Sequence, residues 1–357
     1  MQPPKRAVRG ATLNSGSSRF NLPAREADGD WLDDREGLGD LPPPLRTTVT
    51  VERPKSIITR NASPDVPFDR SVNAYRGCEH GCIYCFARPS HAFHDLSPGL
   101  DFESKLFAKP DAAALLRVEL TKPSYRVAPI AMGTNTDPYQ PIERDWRITR
   151  QCIEVLTETR HPLMVTTKSD RVCDDIDLLA AMAADGLVSV MVSITSLDPR
   201  IAMTVEPRAP APRRRLIAVE KLAAAGISVQ VSVSPVIPAI TDGEMEHILE
   251  AAANAGARRA SFIPVRLPHE VAPLFRAWLD EHFPDRAGKV MSMIQSMRGG
   301  RDNDPGFGTR MRGSGPWYDL MLTRFRIACT RHRLNAERVK LRTDLFRPPE
   351  GAQMRLL

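Results

Sequence analysis

The 357-residue chain, 42% apolar and 26% charged, has the composition of an ordinary soluble globular protein and the length to bury one full-sized core with extensions. Its basic start, MQPPKRAVRGATLN, is followed by no apolar h-region, and no later stretch reaches the length that spans a bilayer, so a cytoplasmic protein with no membrane partner is expected. The formal net charge of +6 is uneven: residues 286–357 carry 15 Lys/Arg against 6 Asp/Glu, which leaves the rest mildly acidic and suggests either a polyanionic partner for the tail or a solvated basic face.

In chain order, residues 1–70 are rich in Gly, Pro, Ser, Arg and Asp, with a PPP run at 42–44, and read as an extension that is loose for much of its length. Within it, 48–51 has the pattern of a short strand, and the stretch 10–14 is expected to fold back onto the body. From 71 to 285, short β-branched runs alternate with helical segments, the mark of strand-helix units around a parallel sheet. Six strands are expected, at 72–75, 129–133, 163–167, 188–195, 227–234 and 260–265. The runs Val-Ser-Val-Met-Val-Ser-Ile-Thr and Ile-Ser-Val-Gln-Val-Ser-Val-Ser alternate with period two, and their small or polar residues share one face, which suits strands lining a cavity. Gly186, Gly226 and Gly256 each end an alanine-rich helix just before a strand, and Thr241-Asp242-Gly243-Glu244 opens another helix. These features predict an α/β fold, a partial (β/α)6 TIM-like barrel, with a doubly wound open sheet as the alternative. Beyond it, 286–357 reads as a basic helical extension, with helices at 284–298 and 316–334 separated by a glycine-rich stretch.

Six cysteines are too few and too unevenly placed for a disulfide scaffold, and three of them lie within eight residues. Cys78, Cys82 and Cys85 follow the first expected strand directly, at the strand end where barrel active sites are built. With the spacing Cys-x3-Cys-x2-Cys, three thiolates can hold three irons of a [4Fe–4S] cube and leave the fourth iron open to a ligand. The alternatives are a zinc knot completed by His80 or His91, or three buried thiols. Cys152 and Cys329 fall on helices as core residues, whereas Cys173, a few residues past the third strand, is a candidate for the cavity mouth and for a redox or hydrogen-donor role.

The cysteine spacing, with Tyr84 just before the third cysteine, resembles the radical S-adenosylmethionine (SAM) superfamily. Further blocks, Tyr75 to Cys85, Gly133-Thr134-Asn135-Thr136-Asp137-Pro138-Tyr139-Gln140, Thr166-Thr167-Lys168-Ser169, Val192-Ser193-Ile194-Thr195 and Glu206-Pro207-Arg208, are similar in kind and order to the branch that holds spore photoproduct lyase and the SplB-like DNA repair photolyases. The resemblance implies a [4Fe–4S] cluster whose open iron is chelated by SAM, and a 5′-deoxyadenosyl radical that takes a hydrogen from the substrate. It further implies that Tyr84 packs near the SAM adenine, that Lys168 pairs with the SAM carboxylate, that Ser193 and Thr195 contact SAM, and that Gly133 and Thr134 lie near its amino group. One departure bears on the chemistry. Spore photoproduct lyases read Cys-Thr-Ser-Asp after the second strand, the cysteine returning a hydrogen to the repaired thymine; this chain has Thr134, whose O–H bond is too strong for that step.

Thr134, Asp137, Tyr139 and Cys173 are thus the catalytic candidates; Asp137, Tyr139, Gln140 and Glu143 are available to a different substrate, or Asp137 caps the next helix. Glu206 and Arg208 either bind substrate or brace the cluster loop. The leading expectation is a hydrogen-abstracting radical SAM enzyme of lyase or repair type acting on a nucleic acid, reduced by an external flavodoxin- or ferredoxin-like donor and holding DNA or RNA through Arg298 to Arg312 and the arginines of the last helix. The competing expectations are an RNA- or protein-modifying enzyme on the same core, and a non-catalytic Fe–S redox or nucleic-acid-binding protein.

Overall fold

The computed structural model describes residues 9–17, 19 and 45–349. The PPP run and most of the expected loose extension lie outside the described residues.

Among the described residues ten strands form two sheets: β1 Thr48–Val51, β2 Ile58–Arg60, β3 Arg70–Val72, β4 Tyr75–Arg76, β5 Lys105–Ala108, β6 Ile130–Met132, β7 Leu163–Thr167, β8 Val188–Ser193, β9 Ser228–Val236 and β10 Arg259–Pro264. The larger sheet has the order β10-β9-β8-β7-β6-β3-β2. Every pairing from β10 to β3 is parallel, and only β2 runs antiparallel at the edge. The six parallel strands in sequential order, each pair joined by a helical crossover, are the partial (β/α)6 barrel that the alternation predicts.

Register explains the alternating sequences. Thr166 is level with Met191, Met191 with Gln230, and Ser193 with Ser232, so polar and small side chains form rows on the inner face of the sheet. The opposite parity, Val165, Val190, Val229 and Val231, is buried in the main core with Cys152, Leu156, Leu179, Val219, Leu222, Ile248 and Leu249 of the helices Ile148–Glu158, Ile176–Ala184, Pro212–Ala224 and Met245–Asn254. Cys152 is therefore the core residue expected, and Cys329 in the helix Pro316–Arg331 belongs to the same core. Gly186, Gly226 and Gly256 have φ of 68°, 76° and 100°, the left-handed conformation that closes a helix before a strand.

The expected single strand at 72–75 is in fact two. The chain leaves the large sheet after Val72, and Tyr75–Arg76 pairs with β5 in a three-stranded sheet of order β1-β5-β4. That small sheet, whose three strands all lie outside the six parallel strands of the barrel, carries the start of the cysteine loop away from β3. The segment 10–14 does fold back, as described below, and the helices Pro284–Ser296 and Pro316–Arg331 occupy the expected stretches.

Candidate radical SAM site

The cysteine loop runs from β4 to the 3-10 turn Arg88–His94. It turns at Gly77 (φ 72°) and Gly81 (φ 68°), where any side chain would be strained. Its shape is held from inside by Arg88, a fully buried guanidinium that donates to the carbonyls of Cys82 (2.9 Å), Gly81 (3.1 Å), Pro98 (3.0 Å) and Gly99 (2.9 Å). Its remaining charge is met by the equally buried Glu103 at 2.5 Å. Glu103 also accepts from the backbone N–H groups of Gly10 and Ala11, both at 2.8 Å. Gly10 lies so close beneath the loop that a Cβ there would stand 1.6 Å from the Gly81 carbonyl oxygen. The N-terminal segment is thus a wedge under the cluster loop.

The three thiols open into one cavity at the C-terminal ends of the strands, lined also by His80, Phe86, Gly133, Thr134, Asn135, Asp137, Thr166, Thr167 and Lys168. Burial pushes the Cys82 thiol up to about 12, against the pull of Lys168. His91 does not line the cavity: its Nε2 lies 2.8 Å from the Lys105 carbonyl and its ring packs on Phe102. His80 faces Asp137, with Nδ1 3.3 Å from the carboxylate. Among the described residues no group of three or more His, Cys, Asp or Glu side chains is set to hold a single metal ion, and the three thiols share the lining of one cavity.

Lys168 closes the other side. Its Nζ stands 5.8 Å from the centre of the Tyr84 ring, and among the described residues it has neither a hydrogen-bond acceptor nor a carboxylate partner. Burial disfavours its charge, yet the surrounding Cys82, Glu206 and Asp137 outweigh that and hold its pKa above the usual value. Three thiols and an unpartnered ammonium in one cavity fit a cluster with an open iron and a carboxylate-bearing ligand such as SAM.

The other predicted residues divide into two groups. Gly133 and Thr134 line the cavity, Thr134 sharing hydrogen bonds with Asn73 at 3.2 and 3.3 Å. The glycine is required by strand packing, since a Cβ there would meet the Thr166 carbonyl oxygen at 1.9 Å. Asp137 lines the cavity as a fully engaged staple, accepting from Thr167 Oγ1 (2.7 Å), Lys168 N (2.8 Å) and Tyr139 N (2.9 Å). Burial opposes its charge, but His80 and these donors hold its pKa at about 2. It ties the cysteine loop and the 133–140 loop to the end of β7. Gln140 adds to this, accepting from Glu79 N at 3.0 Å and donating to the Gly77 carbonyl at 3.2 Å.

Ser193, Thr195, Tyr139 and Cys173 do not line the cavity. Tyr139 is buried with its hydroxyl on Asp175 at 3.0 Å, and Cys173, expected at the mouth, packs against the Ala218 carbonyl of the helix Pro212–Ala224, its thiol pushed up to about 11 by burial. Thr195 donates to Glu206 at 2.7 Å, and the Tyr84 hydroxyl also donates to Glu206. Glu206 pairs with Arg215 at 2.5 Å, both wholly buried, and Arg215 reaches the Ser193 carbonyl at 3.0 Å. Despite its burial, Arg215 first and Lys168 next keep the Glu206 pKa at about 2. Arg208 pairs with Glu79 of the cysteine loop at 2.9 Å. Of the two roles open to Glu206 and Arg208, the contacts match bracing. Glu143 accepts from Tyr75 and from the N–H groups of Thr149 and Arg150, both at 3.2 Å, at the start of a helix and off the cavity. Sequence reasoning missed Arg88, Glu103, Asn73, Arg215 and Phe86; the last, directly after the third cysteine, lines the cavity with 56% of its surface exposed.

The chain is 39% identical over 232 residues to an uncharacterised protein of Mycobacterium tuberculosis (strain ATCC 25618 / H37Rv), covering 64% of this chain and 68% of that protein. An uncharacterised protein of Methanocaldococcus jannaschii is 26% identical over 215 residues, covering 60% of this chain and 76% of that one. Among solved structures, spore photoproduct lyase complexed with dinucleoside spore photoproduct shares the fold at a TM-score of 0.58 and 17% identity, over 80% of this chain and 79% of that one. A variant of the same lyase with bound AdoMet and the dinucleoside gives 0.55 at 15% identity, over 85% and 91% of the two chains. The profile described as Radical SAM superfamily matches residues 72–252, the span that carries all three cysteines and Lys168, and the chain belongs to that superfamily.

Proposed function

We propose that the protein is a SAM-cleaving enzyme that abstracts a hydrogen atom from a base of a nucleic acid, in lyase- or repair-type chemistry. The observation that carries this reading is the single cavity at the strand ends where Cys78, Cys82, Cys85, the unpartnered Lys168 and the exposed ring of Phe86 meet. Cys78, Cys82 and Cys85 would hold the cluster, and Lys168 the SAM carboxylate. When bound, cluster and SAM supply an electron and a 5′-deoxyadenosyl radical able to take hydrogen from carbon.

The chain's own residues orient and confine that chemistry. Asp137 and Gln140 fix the two loops that face each other across the cavity, and the Tyr84–Glu206–Arg215 network backs it. Phe86 offers a flat apolar face at the mouth, on which a base can stack whatever its identity. The related solved lyase structures hold a dinucleoside photoproduct, which supports a nucleic-acid substrate. Thr134 cannot return hydrogen as a thiol does, and among the described residues the only thiols lining the cavity are the three of the motif. On this reading turnover uses no cysteine hydrogen donor, and Cys173→Ala should leave the product profile unchanged. An external flavodoxin- or ferredoxin-like donor would reduce the cluster.

The test is anaerobic reconstitution with SAM and dithionite and quantification of 5′-deoxyadenosine with and without single-stranded or duplex DNA. Nucleic acid is expected to raise the yield above the uncoupled background; equal yields would overturn the choice of substrate.

A further inference from the structure

The large sheet does not close: β10 and β2 are its free edges. They are bridged by the stretch between the helices Pro284–Ser296 and Pro316–Arg331. Arg298, only 3% exposed, donates to the Val265 carbonyl just past β10 (3.2 Å) and to the carbonyls of Arg310 (3.2 Å) and Arg312. Arg310 reaches the connection between β2 and β3, pairing with Asp65 at 2.5 Å and donating to Ser63 Oγ at 2.6 Å, while Gly308 N donates to Asp65 at 2.7 Å. This strap across the open side of the barrel gathers three guanidinium groups, those of Arg266, Arg298 and Arg310, within one electrostatic neighbourhood.

The nearby carboxylates are committed elsewhere. Asp65 serves Arg310 and Gly308, and Asp304 accepts from Gly306 N at 2.9 Å and faces Arg301 at 4.0 Å. Arg266 has no carboxylate partner among the described residues. Its Nη1 meets only the Met311 sulfur, at 3.1 Å, and its Nε is buried with no partner. Burial first, then the charges of Arg310 and Arg298, pull its pKa down to about 10, with Asp65 and Asp304 opposing them. A half-buried guanidinium beside like charges with a thioether as its acceptor is unfavourable in the free protein, and an oxyanion that accepts from its fork relieves the cost. Arg266 lies two residues past β10, at the C-terminal end of the last strand, where barrel sites are built.

We infer that Arg266 is the anion-recognition residue of a subsite at the strapped edge of the barrel, built to take a phosphate group of the substrate. Three guanidinium groups near two carboxylates, Asp65 and Asp304, leave a positive surplus, and a phosphate presents several oxygens to a planar fork. The choice of phosphate rests on the nucleic-acid reading above.

The experiment uses the reconstituted full chain and two probes, inorganic phosphate followed by thermal unfolding at constant ionic strength against chloride, and a labelled octathymidylate followed by fluorescence anisotropy. Phosphate should raise the unfolding midpoint of the wild type, the rise should vanish in Arg266→Gln, survive in part in Arg266→Lys and persist in Met311→Leu. Octathymidylate affinity should fall about tenfold or more in Arg266→Gln. Without ligand, Arg266→Gln should unfold at or above the wild-type midpoint, because it removes a half-buried cation with no directly bonded carboxylate. An unchanged phosphate effect in Arg266→Gln, or a midpoint several degrees lower without ligand, would overturn the inference. A phosphate effect that depends on Arg266 in a protein that does not bind the oligonucleotide would keep the subsite and reject the nucleic-acid reading.

Discussion

Lys168 follows β7 directly, with its ammonium 5.8 Å from the centre of the Tyr84 ring and no acceptor of its own among the described residues. If that ammonium meets the SAM carboxylate, Lys168→Ala should weaken SAM binding by about 1–3 kcal/mol, with iron content unchanged, as read by equilibrium binding to the reconstituted protein. Unchanged affinity would make it a bystander. His161 gives a residue-scale test of stability. It is buried, its Nε2 2.7 Å from the Tyr125 hydroxyl and its Nδ1 3.0 Å from the Pro162 carbonyl, and burial lowers its pKa to about 4. The unfolded chain therefore binds the proton more readily between about pH 6.5 and pH 4, so stability is full above that window and falls as pH drops through it, by up to about 3 kcal/mol. The slope of unfolding midpoint against pH should flatten in His161→Gln. Cysteine spacing and the lysine at a strand end were legible because both are local signals. The partners of Tyr84 and Asp137 were not: Tyr84 meets Glu206 across 122 positions, and Asp137 meets Lys168 across 31.

At the scale of elements, the cluster loop depends on a support that no spacing rule reveals. Arg88 and Glu103 form a buried pair whose other bonds reach the loop carbonyls above and the Gly10–Ala11 backbone below. Breaking such a pair from one side costs about 3–5 kcal/mol, so Arg88→Met should lower both stability and iron loading although all three cysteines remain. Gly10→Val should lower iron loading more than it lowers the unfolding midpoint, because its side chain would collide with the Gly81 carbonyl. Iron content equal to wild type in both variants would show that the loop holds itself. The sequence expected 10–14 to fold back but gave no hint of its seat beneath the cysteines. It likewise joined 72–75 into one strand, because apolar pattern does not show that the chain changes sheets after Val72.

For the whole molecule, the order of the parallel strands followed from the alternation of strand and helix, whereas the closing of the open side did not. The basic tail reads differently once folded. Arg298 and Arg310, counted among polyanion ligands from charge alone, are committed to backbone carbonyls and to Asp65, and Arg324 pairs with Glu246 at 2.5 Å. Arg298→Gln should destabilise by about 1–3 kcal/mol, while the 64% exposed Arg301 tolerates the same change within about 0.5 kcal/mol. The exposed Arg326, Arg331 and Arg333 remain available to phosphates. Changing those three to Gln should weaken oligonucleotide binding and make its dependence on log salt shallower, by about 0.7 to 0.9 for each phosphate no longer neutralised. Equal slopes would leave the tail as packing.

The most direct measurement is iron content together with the electron paramagnetic resonance of the reduced, anaerobically reconstituted protein, with and without SAM. Three thiolates and an open iron predict about four irons per chain, a signal that SAM perturbs, and the loss of both in Cys78→Ala, Cys82→Ala or Cys85→Ala. One zinc per chain with no iron, or a reduced cluster indifferent to SAM, would contradict the account.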